Sequence, residues 1–391
     1  MASLTRLSLI TLLNSMSDGL LWRGLYFFTH DHPELRFSDV QNLLLAFSQG
    51  AVFTASALFA HRPARVLGER RLLVIALTGQ LLCLCPMVIW PSQVPLLVTG
   101  AVAKSCLAGF TWPVIESLVC AGRSPTGAAR AIGWFNVSWA TGLPLSTALA
   151  GIVIESSTSG LFVCCAGFTL AGLLSAWPLS DPTHLPEHHP HRPDAQQLAH
   201  LRTLLIASRS LLFLGYLMLP ILAALMPSVF EELGFSVAIA TVLLAIMDLV
   251  RLITFVVMQN TARWHGHPSL LVMMAAVLPV GFFATLLGPA VAIVIIGEIL
   301  FGVSEGVIYY SALYYAMVVE NASVDAGGIH ESLIGLGGLI GPLLGLGGEY
   351  LGTWTGSTAV GMGLGIGPVA VACGGVVIWS VCRLHRHRQR E

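Results

Sequence analysis

Twelve apolar stretches alternate with short polar gaps along the chain, at 8–29, 40–60, 72–91, 95–119, 131–154, 160–178, 204–230, 236–258, 268–287, 290–319, 327–350 and 357–382. Each approaches or exceeds the roughly 20 residues that a helix needs to cross a hydrocarbon core. The pattern predicts an all-α integral membrane protein with 12 transmembrane helices. The longest break, 179–203, carries Pro182, Pro186, Pro190 and Pro193 and leaves six stretches on each side. Proline clusters of this kind mark linkers. The predicted organisation is therefore an N-terminal six-helix bundle over 1–178, a linker over 179–203, and a C-terminal six-helix bundle with a basic tail over 204–391.

Composition agrees, with 55% hydrophobic residues, 10% charged and a mean hydropathy of +0.80. A soluble domain carries about a quarter of its residues as charges. Fourteen of the nineteen Lys and Arg residues fall in alternate gaps, from Arg6, Arg62 and Arg65 to Arg383 and Arg390, whereas the opposite gaps hold Arg36 alone. Basic residues resist translocation, so both termini and the linker are predicted to be cytoplasmic in a cell (plasma or inner) membrane. The first segment contains Asp18 and Arg23 and precedes no small-residue cleavage pattern. It is expected to be retained rather than removed as a signal peptide.

A net charge of −1 gives no reason to expect a nucleic-acid partner. The bilayer and a small-molecule substrate are the expected partners, and the chain is expected to be a monomer. All eight cysteines sit in or at the ends of apolar segments, which suits packing rather than disulfides or metal. The linker histidines His184, His188, His189, His191 and His200 offer metal ligands, but a solvated tether is the favoured reading. No cofactor is expected beyond a coupling proton.

The halves repeat one another: Gly133 and Gly142 in segment five recur as Gly328 and Gly337 in segment eleven. The same offset lays Ser146 and Thr147 on Gly341 and Pro342, and Ala150 on Gly345. Parallel repeats of this kind build many transporters. With Gly68, Glu69, Arg70 and Arg71 between segments two and three, the chain resembles the major facilitator superfamily over essentially its full length. The resemblance implies two bundles related by a pseudo-twofold axis, a cavity lined by helices 1, 4, 7 and 10, and gating or structural roles for Gly68, Arg70, Arg71, Gly133, Gly142, Gly337, Gly341 and Pro342. Two departures stand out: Arg65 occupies the place of the loop aspartate, and Ser146-Thr147 replaces the Gly-Pro of the antiporter pattern.

Nine charges remain deep in the segments: Asp18, Arg23, Lys104, Glu116, Arg209, Asp248, Arg251, Glu298 and Glu305. Charges in the bilayer are costly and turn to a cavity or a partner. Glu298, Gly302, Glu305 and Tyr309 follow i, i+4, i+7, i+11, so segment ten presents one polar stripe, the best binding candidate in the chain. Asn14 and Asp18 in segment one and Tyr216 in segment seven are further candidates for solute or proton, with Arg23 pointing elsewhere. Lys104 has Asp18, Glu298 or Glu305 as possible partners, and Glu116, about 18 Å away along the helix, needs its own. Asp248 and Arg251, three apart, are read as a structural pair. Trp112, Trp139 and Tyr309 to Tyr315 can flank a solute or anchor the interface.

These features favour a secondary transporter of a small organic solute, proton-coupled and working by alternating access, with Glu305 and Asp18 as proton carriers. Efflux antiport and a non-transporting sensor of the same fold remain open. An enzyme is not expected, because no phosphate loop or HExxH occurs and the deep charges are spread over several segments rather than converging at one.

Overall fold

The computed structural model describes residues 3–121, 123, 125–179, 195–319 and 324–388, and among them there are helices and no strands. The helices follow the predicted ladder. Helix α1 runs over Leu4–Gly19, a π turn at Leu20–Gly24, and Leu25–Asp31. The others of the first half are α2 (Asp39–Phe59), α3 (Glu69–Ile89), α4 (Val94–Cys120), α5 (Pro125–Ser156) and α6 (Gly160–Ala176). The second half contains α7 (Ala195–Glu232), α8 (Val237–Asn260), α9 (Pro268–Leu287), α10 (Val291–Val319), α11 (Val324–Thr355) and α12 (Thr358–Arg388). Ten are long and apolar enough to span a membrane, and the shorter α6 and the interrupted α1 complete the twelve.

One predicted boundary moves. Residues 195–203, read as linker, are the first turns of α7, where Leu201 and Leu204 are buried. Hydropathy alone misses such amphipathic turns, which bury one face only. His200 bonds the Gly266 carbonyl at 3.0 Å, while His184, His188, His189 and His191 lie outside the described residues.

The two halves pack alike. Helix α1 lies on α5 and α6 as α7 lies on α11 and α12; α2 meets α4 as α8 meets α10; α3 meets α4 and α6 as α9 meets α10 and α12. Across the halves, α5 packs on α8 and α2 on α11, and a twofold exchange converts one contact into the other. Two six-helix bundles therefore face each other around a pseudo-twofold axis.

Small residues set these distances, as they do where transmembrane helices approach closely. Gly142 abuts Ser15 (2.8 Å from an added Cβ), and its repeat partner Gly337 abuts the Tyr216 backbone (2.7 Å). Gly133 abuts Gln259 of α8, at the crossing of the halves. Where segment five departs from the repeat, the small residue has changed helix: Gly19 of α1 receives Ser146, and Gly24 receives Ala150, which would lie 2.9 Å from an added Cβ. In the second half the roles are reversed, with Gly341 of α11 against the Leu217 carbonyl of α7. A backbone cannot yield as a side chain does. Gly341→Val is accordingly expected to cost about 1–3 kcal/mol by overpacking, read as a fall in melting temperature, whereas Gly347→Val, with nothing within 4 Å, is expected to have no such effect. Pro342 lies within α11 one residue beyond this contact.

The loop before α3 holds the other expected structural group. Gly68 has φ 85°, a left-handed value that a side chain would strain, and it ends the short helix His61–Leu67. Glu69 accepts from Ser117 Oγ at 2.6 Å and Arg70 donates to the Trp177 carbonyl at 2.7 Å, tying α3 to α4 and α6. Arg65 and Arg71 are exposed.

Candidate functional site: a charged, aromatic cavity between the bundles

Between the halves lies a cavity of about 170 Å³, lined from α1, α2, α4 and α5 on one side and from α7, α8, α10 and α11 on the other. At roughly 10–15 Å³ per water it has room for on the order of ten waters, the size of a small organic solute. Trp22, Tyr26, Trp112, Trp139, Tyr216 and Tyr309 form much of its wall. Trp139 and Tyr309 meet edge to face across the two halves, with centroids 5.0 Å apart. Ser15, Asp18, Arg23, Gln49, Arg251 and Glu331 bring polar groups to it.

Asp18 is the centre of one polar group. It accepts from Lys104 in a short contact, from Trp112 Nε1 at 2.9 Å and from Asn14 Nδ2 at 3.2 Å. Lys104 and Asp18 are each 1% exposed. Of the three carboxylates within reach of Lys104 by depth, the fold selects Asp18. A carboxylate with three donors is satisfied, so Asp18 shapes the wall more than it offers a vacant valence. Beside it, Tyr26 donates to Gln49 at 2.8 Å, and Gln49 donates to Ser105 at 3.2 Å.

Asp248 is the centre of the second. Arg23 Nη2 reaches its Oδ1 at 3.3 Å, Arg251 Nη2 lies 3.5 Å from the same oxygen, and Thr147 donates to Oδ2 at 3.2 Å. The expected Asp248–Arg251 pair thus exists, but it is joined by Arg23 from the other bundle, and Arg251 faces the cavity. Ideal α-helical periodicity points Arg23 away from the Asp18 face, and the structure corrects this. Five residues overshoot one α-helical turn by about 140°, and the i→i+5 spacing of the π turn removes much of that rotation. Buried guanidinium nitrogens are left over: Arg23 Nη1 and Arg251 Nε have no hydrogen-bond partner, and Arg251 Nη2 has only its 3.5 Å ion-pair contact with Asp248.

The stripe on α10 divides. Tyr309 lines the cavity; Glu298 and Glu305 are not among the lining residues. The same face of α10 packs on α8, where a Cβ added at Gly306 would lie 2.7 Å from Thr254, and on α7, where the Glu305 carboxyl fills the space a side chain at Gly215 would take. Periodicity places these residues on one face, but a tilted neighbour covers most of it. Glu305 stands within electrostatic reach of Arg251 and Arg23. It is 1% exposed, with Oε1 lacking a partner, and both Glu298 oxygens lack one.

Glu331 escapes a reading of the sequence because it lies close to the start of segment eleven and resembles a loop residue. It lines the cavity and shares a hydrogen bond with Glu116, the partner that residue required. Two carboxylates bond only by sharing a proton. Next to Glu331, His330 is fully buried and edge-on to Tyr309 at 4.8 Å. Arg209 lies on α7 and is partly exposed. Tyr314 and Tyr315 leave the cavity: Tyr314 stacks on His265 at 4.3 Å, and Tyr315 receives the Gly266 N–H at 3.2 Å.

Contacts across the halves flank the cavity. On the face opposite the termini, His30 meets Glu231 at 2.7 Å, Asp39 meets Ser228, and Asn42 donates to the Ala224 carbonyl at 3.5 Å. Toward the face of the termini stand Trp139 with Tyr309, and Glu116 with Glu331.

Residues 7–342 match the family model described as Major Facilitator Superfamily. Among solved structures, a POT family transporter in complex with 5-aminolevulinic acid is similar at TM-score 0.75 and 12% identity, covering 96% of this chain and 95% of that one. A mutant of the nucleoside transporter NupG gives TM-score 0.72 and 13% identity over 96% and 99%. The human organic anion transporter MFSD10 (TETRAN) gives 0.67 and 14% over 96% and 98%. No curated protein matches the chain in sequence.

Proposed function

The chain belongs to the Major Facilitator Superfamily, and from that membership we propose a proton-coupled secondary transporter of a small organic solute, working by alternating access. The carrying observation is the cavity built by both bundles, whose charged and aromatic walls are flanked by contacts across the halves. Rocking the bundles about the α2–α11 and α5–α8 contacts would separate one set of end contacts while keeping the other. The basic face, by the distribution of Arg, is taken as cytoplasmic, with both termini there.

Glu305 is assigned the proton. It stands behind the cavity wall, within electrostatic reach of the arginines that face the solute space. Proton and solute can therefore be held together, which favours symport over exchange at one shared site. The similar structures include transporters named for nucleosides, organic anions and peptides, which supports a small organic cargo without choosing one.

Purified protein in liposomes with an imposed pH gradient tests the reading. Accumulation of a labelled solute above its equilibrium level, collapsed by a protonophore, is the expected result. Solute binding without flux would make the protein a sensor; flux indifferent to the gradient would remove the proton.

A further inference from the structure

The charge on the cavity wall does not balance at its α1–α8 corner. Lys104 and Asp18 neutralise one another. Arg23 and Arg251, by contrast, share a single carboxylate, Asp248, whose other oxygen is already taken by Thr147. The two side chains are 4% and 2% exposed, and both line the cavity. Guanidinium groups stay ionised, so two positive charges face one negative charge. Among the described residues, no ion pair within 4.0 Å joins Glu305 or Glu298 to either arginine. The second acidic group joins Glu116 of α4 to Glu331 in the early turns of α11, and these two carboxyls bond each other.

We propose that Arg23 and Arg251 form a subsite for the singly charged oxyanion head of the solute, a carboxylate or its equivalent, whose aromatic body lies against Trp22, Trp112 and Trp139. The inference rests on the reading of this cavity as the solute site and adds the class of solute. Three observations converge on it. Arg23 Nη1 and Arg251 Nε are buried N–H donors without a hydrogen-bond partner, Arg251 Nη2 has only its long 3.5 Å contact with Asp248, and a buried donor needs an acceptor. Planar guanidinium forks match the two oxygens of a carboxylate. One added negative charge makes the corner neutral while Glu305 is protonated.

Ionised Glu305 would supply that same negative charge from within the protein. The groups facing it are Arg251 and Asp248 from α8, Arg23 from α1 and Tyr216 from α7; α9 carries no titratable side chain. Protonated Glu305 leaves the arginines to the solute anion, and ionised Glu305 competes with it. One proton and one anion then cross together without net charge.

The test is tryptophan fluorescence and thermal shift of the purified full chain with three probes of one shape: 1-naphthoate, the neutral 1-naphthamide and cationic 1-naphthylmethylamine. Naphthoate is expected to bind at least about tenfold more tightly than either analogue, and Arg251→Gln to weaken it by roughly tenfold or more. Because Arg251→Gln also disturbs Asp248, a variant of opposite sign is decisive. Asp248→Asn frees both arginines and is expected to tighten naphthoate, with a larger thermal shift than in the unaltered protein. Equal or better binding of the amide or amine, no binding of naphthoate, or weakened naphthoate binding in a folded Asp248→Asn protein would each overturn the proposal. Flux of the amine or amide into liposomes would keep the transporter reading while removing the anion, and absence of flux for a bound naphthoate would do the reverse.

Discussion

Lys104→Met is expected to destabilise the protein by about 3–5 kcal/mol, the cost of leaving a buried charge without its partner. Asp18 is 1% exposed, and its remaining donors, Trp112 Nε1 and Asn14 Nδ2, are neutral. The methionine matches the volume of the lysine stem, so the loss is one of charge rather than of packing. The double variant Asp18→Asn with Lys104→Met removes both charges and is expected to recover most of the loss. A double-mutant cycle of melting temperatures in one detergent or lipid measures the coupling. A Lys104→Met protein within about 1 kcal/mol of the original would mean that water or another group compensates Asp18, and the reading of this pair as structural would fall.

Glu305→Gln is expected to abolish solute accumulation driven by a pH gradient while solute exchange at equilibrium continues. Gln preserves the shape that fills the space beside Gly215 and removes the titratable carboxyl of this residue. Gly215→Ala approaches the same point from the other helix, since its methyl would occupy the place of the carboxyl oxygen and push the Glu305 side chain aside. It is expected to reduce coupling without a change in charge. Both variants are read in liposomes, with accumulation and exchange measured on one preparation. Undiminished accumulation in Glu305→Gln would rule out Glu305 as the proton carrier and move attention to Glu331, which shares its proton with Glu116.

The ladder of helices was legible because hydropathy is a local property. A segment such as 268–287 is apolar throughout, and α9 forms there as read. The repeat was legible too, through Gly142 and Gly337, which hold α5 on α1 and α11 on α7. Its apparent flaw at Ser146 was not: the missing small residue sits on the partner helix as Gly19, and single-sequence offsets do not reveal which of two packed helices carries the gap.

The same boundary runs through the site. That nine charges deep in the segments must find partners or a cavity follows from the residues alone, because a charge in lipid is costly. Which charge meets which is a matter of rotation and tilt. A π turn of five residues turned Arg23 toward Asp248, 225 positions away. Packing of α10 on α8 and α7 hid Glu298 and Glu305 behind the wall and left Tyr309 at the cavity. Residue identity thus decides that partners must be found, since the cost of an unpaired charge is intrinsic to the side chain. The partners themselves are decided by the tertiary structure, because a few tens of degrees about a helix axis exchange a cavity for a neighbouring helix.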